Sequence, residues 1–141
     1  MERQVNKTTK PAVWSRAPLR VLVVDDSRDT VQTLGILLRS EGMEVRMLQA
    51  GEQALPVSEE FFPDVVLLDI GMPGRNGFQV AEDLRSRFGR KRPALVAVTA
   101  YGGIADKCRA RACGFDHYCV KPYDPAALLQ LVTKIGRELS P

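Results

Sequence analysis

Five times along this chain an apolar run gives way to a segment whose apolar residues recur at helical spacing, and that alternation limits the fold more than any other feature. The first run is Arg20 to Asp25 (RVLVVD), and Ser27 to Ser40 then sets Val31, Leu34 and Leu38 on one helical face and stops near Gly42. Glu44 to Gln49 is a more polar second strand, expected at a sheet edge. Glu52 to Glu60 reads as a helix, but Pro56 falls beyond its first position and would remove a backbone bond, so a short or kinked helix is expected. Asp64 to Asp69 is the third strand, followed by a helix with Phe78, Ala81, Leu84 and Phe88 inward. After a basic turn at Gly89 to Pro93 come the strand Ala94 to Thr99 and a helix over Ile104 to Ala112 that ends at Gly114. The fifth strand is Phe115 to Val120. Asp124 and Pro125 form a cap and first-turn pair that opens a last helix with Leu128, Leu131, Val132 and Ile135 inward.

The pattern is (βα) repeated five times. Continuous apolar strands joined by helices predict a doubly wound α/β fold, a parallel sheet covered on both faces. A length of 141 residues suits one domain, and 45% hydrophobic residues can supply its core. The segment before Leu19 holds Arg3, Lys7, Lys10 and Arg16 against Glu2, and so carries the whole net charge of +3. Residues 1–18 read as a solvated basic arm without an aromatic ladder, which gives no reason to expect nucleic-acid binding. No window is long and apolar enough for a membrane span and no signal peptide is evident, so a cytoplasmic protein is expected. Cys108, Cys113 and Cys119 lack CxxC spacing and His117 is the only histidine, which argues against disulfides and zinc.

In parallel sheets of this kind, ligands gather at the carboxyl ends of the strands. Those ends carry Asp25 and Asp26, Asp69, Thr99 and Lys121. Clustered carboxylates repel one another unless a cation lies among them, and oxygen ligands without imidazole or thiolate favour Mg²⁺. Asp69 ends the run VVLLD and is followed at once by the turn residues of IGMPGRNG. An aspartate there is suited to nucleophilic attack on phosphorus, with Lys121 and the metal holding the phosphoryl oxygens.

These residues resemble the receiver domain of response regulators in two-component signalling. The resemblance runs from about Leu19 to Leu139 and rests on VLVVDD at 21 to 26, LLDIGMPGRNG at 67 to 77, VTA at 98 to 100 and YCVKP at 118 to 122. It implies a flavodoxin-like sheet in the order 2-1-3-4-5. It implies that Asp69 accepts a phosphoryl group from a phosphohistidine on a sensor histidine kinase or a histidine phosphotransfer protein. Asp26, Asp69 and the Gly71 carbonyl would ligate Mg²⁺, with Asp25 acting through water. Lys121 and Thr99 would contact phosphoryl oxygens, and Tyr118 would be the aromatic switch that turns inward as Thr99 moves. A cis Lys121–Pro122 bond is also implied. The chain would then be no enzyme beyond its own phosphorylation and dephosphorylation, and would signal to a downstream protein. It could be a free-standing regulator, or a relay or sink receiver from a hybrid histidine kinase. Gly71 and Tyr101 fall at two positions that vary in the family and influence phosphoryl lifetime.

Two other classes fit less well. A haloacid-dehalogenase-type phosphatase needs a second carboxylate two residues after its nucleophile, where Gly71 stands. A flavodoxin-like mononucleotide site needs a phosphate-cradling loop after the first strand, where DDSRD offers acids instead.

Overall fold

The structure is a computed structural model that describes residues 18–139, so the basic arm expected before Leu19 lies outside the described residues except for Pro18. Its elements are β1 (Arg20–Val24), α1 (Arg28–Ser40), β2 (Glu44–Leu48), a single 3-10 turn (Gly51–Gln53), α2 (Ala54–Phe61), β3 (Val65–Leu68), α3 (Gly77–Phe88), β4 (Ala94–Thr99), α4 (Ile104–Cys113), β5 (His117–Val120) and α5 (Pro125–Leu139). All strand pairs are parallel and the order is β2-β1-β3-β4-β5, as the resemblance implied.

The two-residue period of the strands divides the core between the sheet's faces. Leu22, Val24, Val66, Leu68, Leu95 and Ala97 point to the side covered by α2, α3 and α4 through Ala54, Phe78, Ala81, Leu84 and Ala110. Val21, Val23, Val65, Leu67, Val96 and Val98 point to the other side, where α1 supplies Val31, Leu34 and Leu38 and α5 supplies Leu128, Val132 and Ile135. Each fully buried aliphatic side chain contributes about 1.5–3 kcal/mol, so β1, β3 and β4, buried along almost their whole length, anchor the molecule.

Pro56 is accommodated differently from the expectation. Residues 51–53 form the 3-10 turn and the α-helix starts only at Ala54, which puts Pro56 in the first helical turn. Backbone N–H groups there have no intrahelical partner, so the proline removes no bond. The helix is short, eight residues, and ends at Phe62 in the left-handed conformation. β1 ends at Val24, one residue short of Asp25, and β5 begins at His117 with Phe115 buried just before it.

The strand register positions the site. Val24 of β1 is opposite Leu68 of β3, so the residues that follow, Asp25 and Asp69, leave the sheet side by side. Thr99 of β4 is opposite Val120 of β5, which places Lys121 beside the end of β4.

Candidate functional site

The ladder continues just far enough past the strands to hold these side chains. The Asp25 amide donates to the Leu48 carbonyl at 3.0 Å, the Asp69 amide to that of Val24 at 2.9 Å, and the Lys121 amide to that of Thr99 at 2.8 Å. Asp25 and Asp69 are buried, whereas Asp26 faces solvent. One carboxylate oxygen from each of Asp25, Asp26 and Asp69 lies within 4.8 Å of the others.

Lys121 crosses to this cluster from the far side. Its ammonium lies 2.7 Å from Asp25 Oδ2 and 3.4 Å from Asp69 Oδ2. Backbone amides fix the opposite carboxylate oxygens: Ser27 N–H donates to Asp25 Oδ1 at 2.9 Å, and Gly71 N–H to Asp69 Oδ1 at 3.1 Å. Burial pushes the Asp25 carboxyl above its usual 3.8, against the lowering effect of Lys121 and the Ser27 amide, while the Asp69 charge adds to the rise. For Lys121 burial works downward, but its bonds to Asp25 and Asp69 and their charges outweigh it, and the net shift is up. Lys121–Pro122 is cis, as is Arg92–Pro93.

Three carboxylates, one lysine and no imidazole or thiolate form a hard-oxygen pocket that fits Mg²⁺. Gly71, two residues beyond Asp69, borders it. A Cβ on Gly77 would stand 2.5 Å from the Asp69 carbonyl oxygen and 2.6 Å from Ile70 Cα, so only glycine lets α3 start this close to the end of β3.

Thr99 is fully buried at the end of β4, and its Oγ1 accepts a bond from the Tyr101 amide at 3.3 Å. The Tyr118 hydroxyl donates to the Tyr101 carbonyl oxygen, and burial, with the Asp106 and Asp69 charges behind it, raises the Tyr118 phenol above its usual value. The Tyr101 ring is half exposed and lies against Gly71, 3.1 Å from where a Cβ would be. Tyr101 thus touches the loop after Asp69, Thr99 and Tyr118 at once, a bridging position that spacing alone did not reveal.

A family model described as the response regulator receiver domain matches residues 21–133 of this chain. The chain belongs to the response-regulator receiver family. The receiver is 38% identical over 113 residues to the DNA-binding response regulator MtrA of Mycobacterium tuberculosis, a match that covers 80% of this chain and 48% of that protein. It therefore spans about half the length of such curated relatives. An uncharacterised 14.6 kDa protein of Leptolyngbya boryana is 36% identical over 116 residues and is covered over 88% of its length. Among solved structures, the chemotaxis protein CheY4 of Vibrio cholerae superposes with a TM-score of 0.79 at 28% identity, covering 84% of this chain and 99% of that one. A response-regulator receiver domain protein of Methanospirillum hungatei gives 0.81 at 25% identity, covering 86% and 96%.

Within the receiver, the structure brings Asp25, Asp26, Asp69 and Lys121 into one cluster and holds Gly71 at its border. Thr99 and Tyr118 are joined to one another through Tyr101. Among the described residues no helix is long and apolar enough to cross a membrane.

Proposed function

We propose that this receiver takes a phosphoryl group onto Asp69 from a phosphohistidine of a sensor histidine kinase or histidine phosphotransfer protein, in a Mg²⁺-dependent reaction, and passes the change to a partner protein. The observation that carries this reading is the convergence of three carboxylates within 4.8 Å with one ammonium that already touches two of them.

Asp69 is held for attack. The Gly71 amide fixes one of its oxygens, and Lys121 approaches the other. An Asp69 oxygen forms a bond to phosphorus as the donor's P–N bond breaks, leaving the electron pair on the imidazole nitrogen and a mixed anhydride on the protein. Asp26, Asp69 and the Gly71 carbonyl would hold Mg²⁺, with Asp25 acting through water, and the ion supplies charge neutralisation for carboxylates and phosphoryl oxygens that would otherwise repel. Lys121 exchanges its contact with Asp69 for a phosphoryl oxygen. The Thr99 hydroxyl still has a proton to donate, since its oxygen accepts from Tyr101, and that proton is directed to another phosphoryl oxygen. Water attack on phosphorus returns the carboxylate and releases inorganic phosphate.

The test is incubation with a small phosphoryl donor and Mg²⁺. One acid-stable, base-labile phosphate per chain is expected, because hydroxide cleaves acyl phosphates readily, and Asp69→Asn should remove it. Full labelling of Asp69→Asn would overturn the assignment.

A further inference from the structure

The loop between β3 and α3, residues 69–76, carries the proposed phosphoacceptor and the Gly71 carbonyl, yet three of the residues from 71 to 77 are glycines. Something must limit its freedom. The Asn76 and Gln79 capping box fixes its last residue: the Gln79 amide donates to Asn76 Oδ1 at 3.0 Å, and the Asn76 amide donates to Gln79 Oε1 at 2.9 Å. Immediately before it, Arg75 is held from two sides. Its guanidinium makes a two-bond contact with Asp83 on α3, at 2.6 and 2.7 Å. Its backbone amide donates to Glu52 Oε2 at 3.2 Å, and Glu52 lies on the 3-10 turn after β2, 23 residues earlier in the chain. The same Glu52 oxygen lies 2.7 Å from where a Cβ would sit on Gly74.

The backbones themselves are pressed together here. A Cβ on Gly51 would come within 2.2 Å of the Arg75 carbonyl oxygen, so the 3-10 turn packs directly on the loop and delivers Glu52 to it. No other side chain among the described residues bonds to the Arg75 amide.

We propose that Glu52 is a positioning residue for the proposed phosphoacceptor site, setting the loop geometry on which Gly71 depends for holding Mg²⁺. This rests on the reading of Asp26, Asp69 and Gly71 as the metal's ligands. Glu52 touches neither Mg²⁺ nor phosphate; it acts through Arg75. The bond is exposed, so its loss leaves the buried sheet intact while loosening a glycine-rich segment whose spread of conformations then lowers metal affinity.

The experiment measures Mg²⁺ affinity of the full chain by calorimetry, together with the rate of labelling by acetyl phosphate. Glu52→Ala is expected to weaken Mg²⁺ by about three- to tenfold, the value of one hydrogen bond, with little change in melting temperature. Glu52→Gln keeps an oxygen for the Arg75 amide and should restore affinity to within about twofold. A purely structural role predicts loss of melting temperature with unchanged affinity, and that result overturns the proposal. So does a Glu52→Gln variant as weak as Glu52→Ala. Asp26→Ala is the control: if it binds Mg²⁺ as wild type does, the acidic pocket itself has been misread, whereas its failure to bind beside a normal Glu52→Ala refutes only the role of Glu52.

Discussion

Lys121 bears on stability apart from its proposed contact with phosphate. Its ammonium is three-quarters covered and compensates Asp25, which is almost completely buried. Removing one member of a buried pair leaves the other uncompensated, at a cost of several kcal/mol. The partial exposure of Lys121 discounts this, so Lys121→Met should destabilise by about 1–3 kcal/mol. The pH dependence has a defined sign. Lys121 holds its proton more tightly folded than unfolded, so its contribution is complete below its ordinary 10.5 and is lost as pH rises through the raised folded value. Asp25 has the same sign in a different pH window: burial raises its value, so the folded state prefers it protonated, and stability declines as pH climbs from 3.8 through that value. Melting curves of wild type and Lys121→Met should therefore differ most near neutrality and converge on the alkaline side above 10.5. A gap undiminished at the alkaline end would mean that the ammonium is not what separates them. Asp25, Asp69 and Lys121 were all legible in the sequence because each follows an apolar run that could only be a strand in a parallel sheet. Tyr101 was marked in the sequence only as a family position that influences phosphoryl lifetime; its bridging contacts, and Glu52 altogether, were not legible, because they depend on one ring lying over Gly71 and one carboxylate reaching a backbone amide, neither of which has a short-range pattern.

At the level of elements, Arg85 on α3 shows where helical periodicity misleads. It follows Leu84 in the inward stripe and by composition belongs to the solvent, yet its side chain is only 9% exposed. The guanidinium donates to the Gly114 carbonyl at 2.9 and 2.7 Å, to Pro93 at 2.7 Å, to Gly89 at 3.1 Å and to Asp116 Oδ2 at 2.8 Å. That Asp116 oxygen also accepts the Leu95 amide at 2.9 Å. One side chain thus joins the end of α3, the entry to β4, the end of α4 and the entry to β5. Burial lowers the arginine's affinity for its proton, and Asp116 counteracts the effect. Truncation would strip partners from several carbonyls, so Arg85→Ala is expected to cost about 2–4 kcal/mol in denaturant unfolding. Arg85→Lys should recover little of this, since a single ammonium cannot reproduce the planar fork. A lysine variant as stable as wild type would refute the staple. The same comparison explains the shift at α2: the sequence pattern located a helix there, but a 3-10 turn that fixed its start at Ala54 is invisible to periodicity.

Across the whole molecule, the two ends of the proposed signal differ in how firmly they are built. The carboxyl ends of β1 and β3 rest on side chains that are almost fully buried, whereas α4 buries only Ala110 and leaves Ile104 82% exposed. Segments with few buried apolar contacts open most readily, so α4 belongs to the low-stability end of the fold. Its link to the site is short: Thr99 bonds to Tyr101, Tyr101 to Tyr118, and Lys107 of α4 lies over the Tyr118 ring at 5.9 Å. In the proposed switch, a phosphoryl group drawing the Thr99 hydroxyl toward Asp69 would pull against its bond from the Tyr101 amide, and the Tyr101–Tyr118 contact would shift with it. Such a switch requires two arrangements separated by only a few kcal/mol, biased by contacts that exist in one of them. Beryllofluoride, which mimics the phosphoryl group, is therefore expected to change amide shifts and hydrogen exchange chiefly between Thr99 and Tyr123. Thr99→Ala should still accept phosphate, since Asp69, the proposed nucleophile, the acidic cluster and Lys121 are intact, but its response across α4 and β5 should shrink. If beryllofluoride binds and the changes stay within the loops around Asp26 and Asp69, the route through Tyr101 is wrong, and the chain stores or relays phosphate without reshaping the α4, β5 and α5 face.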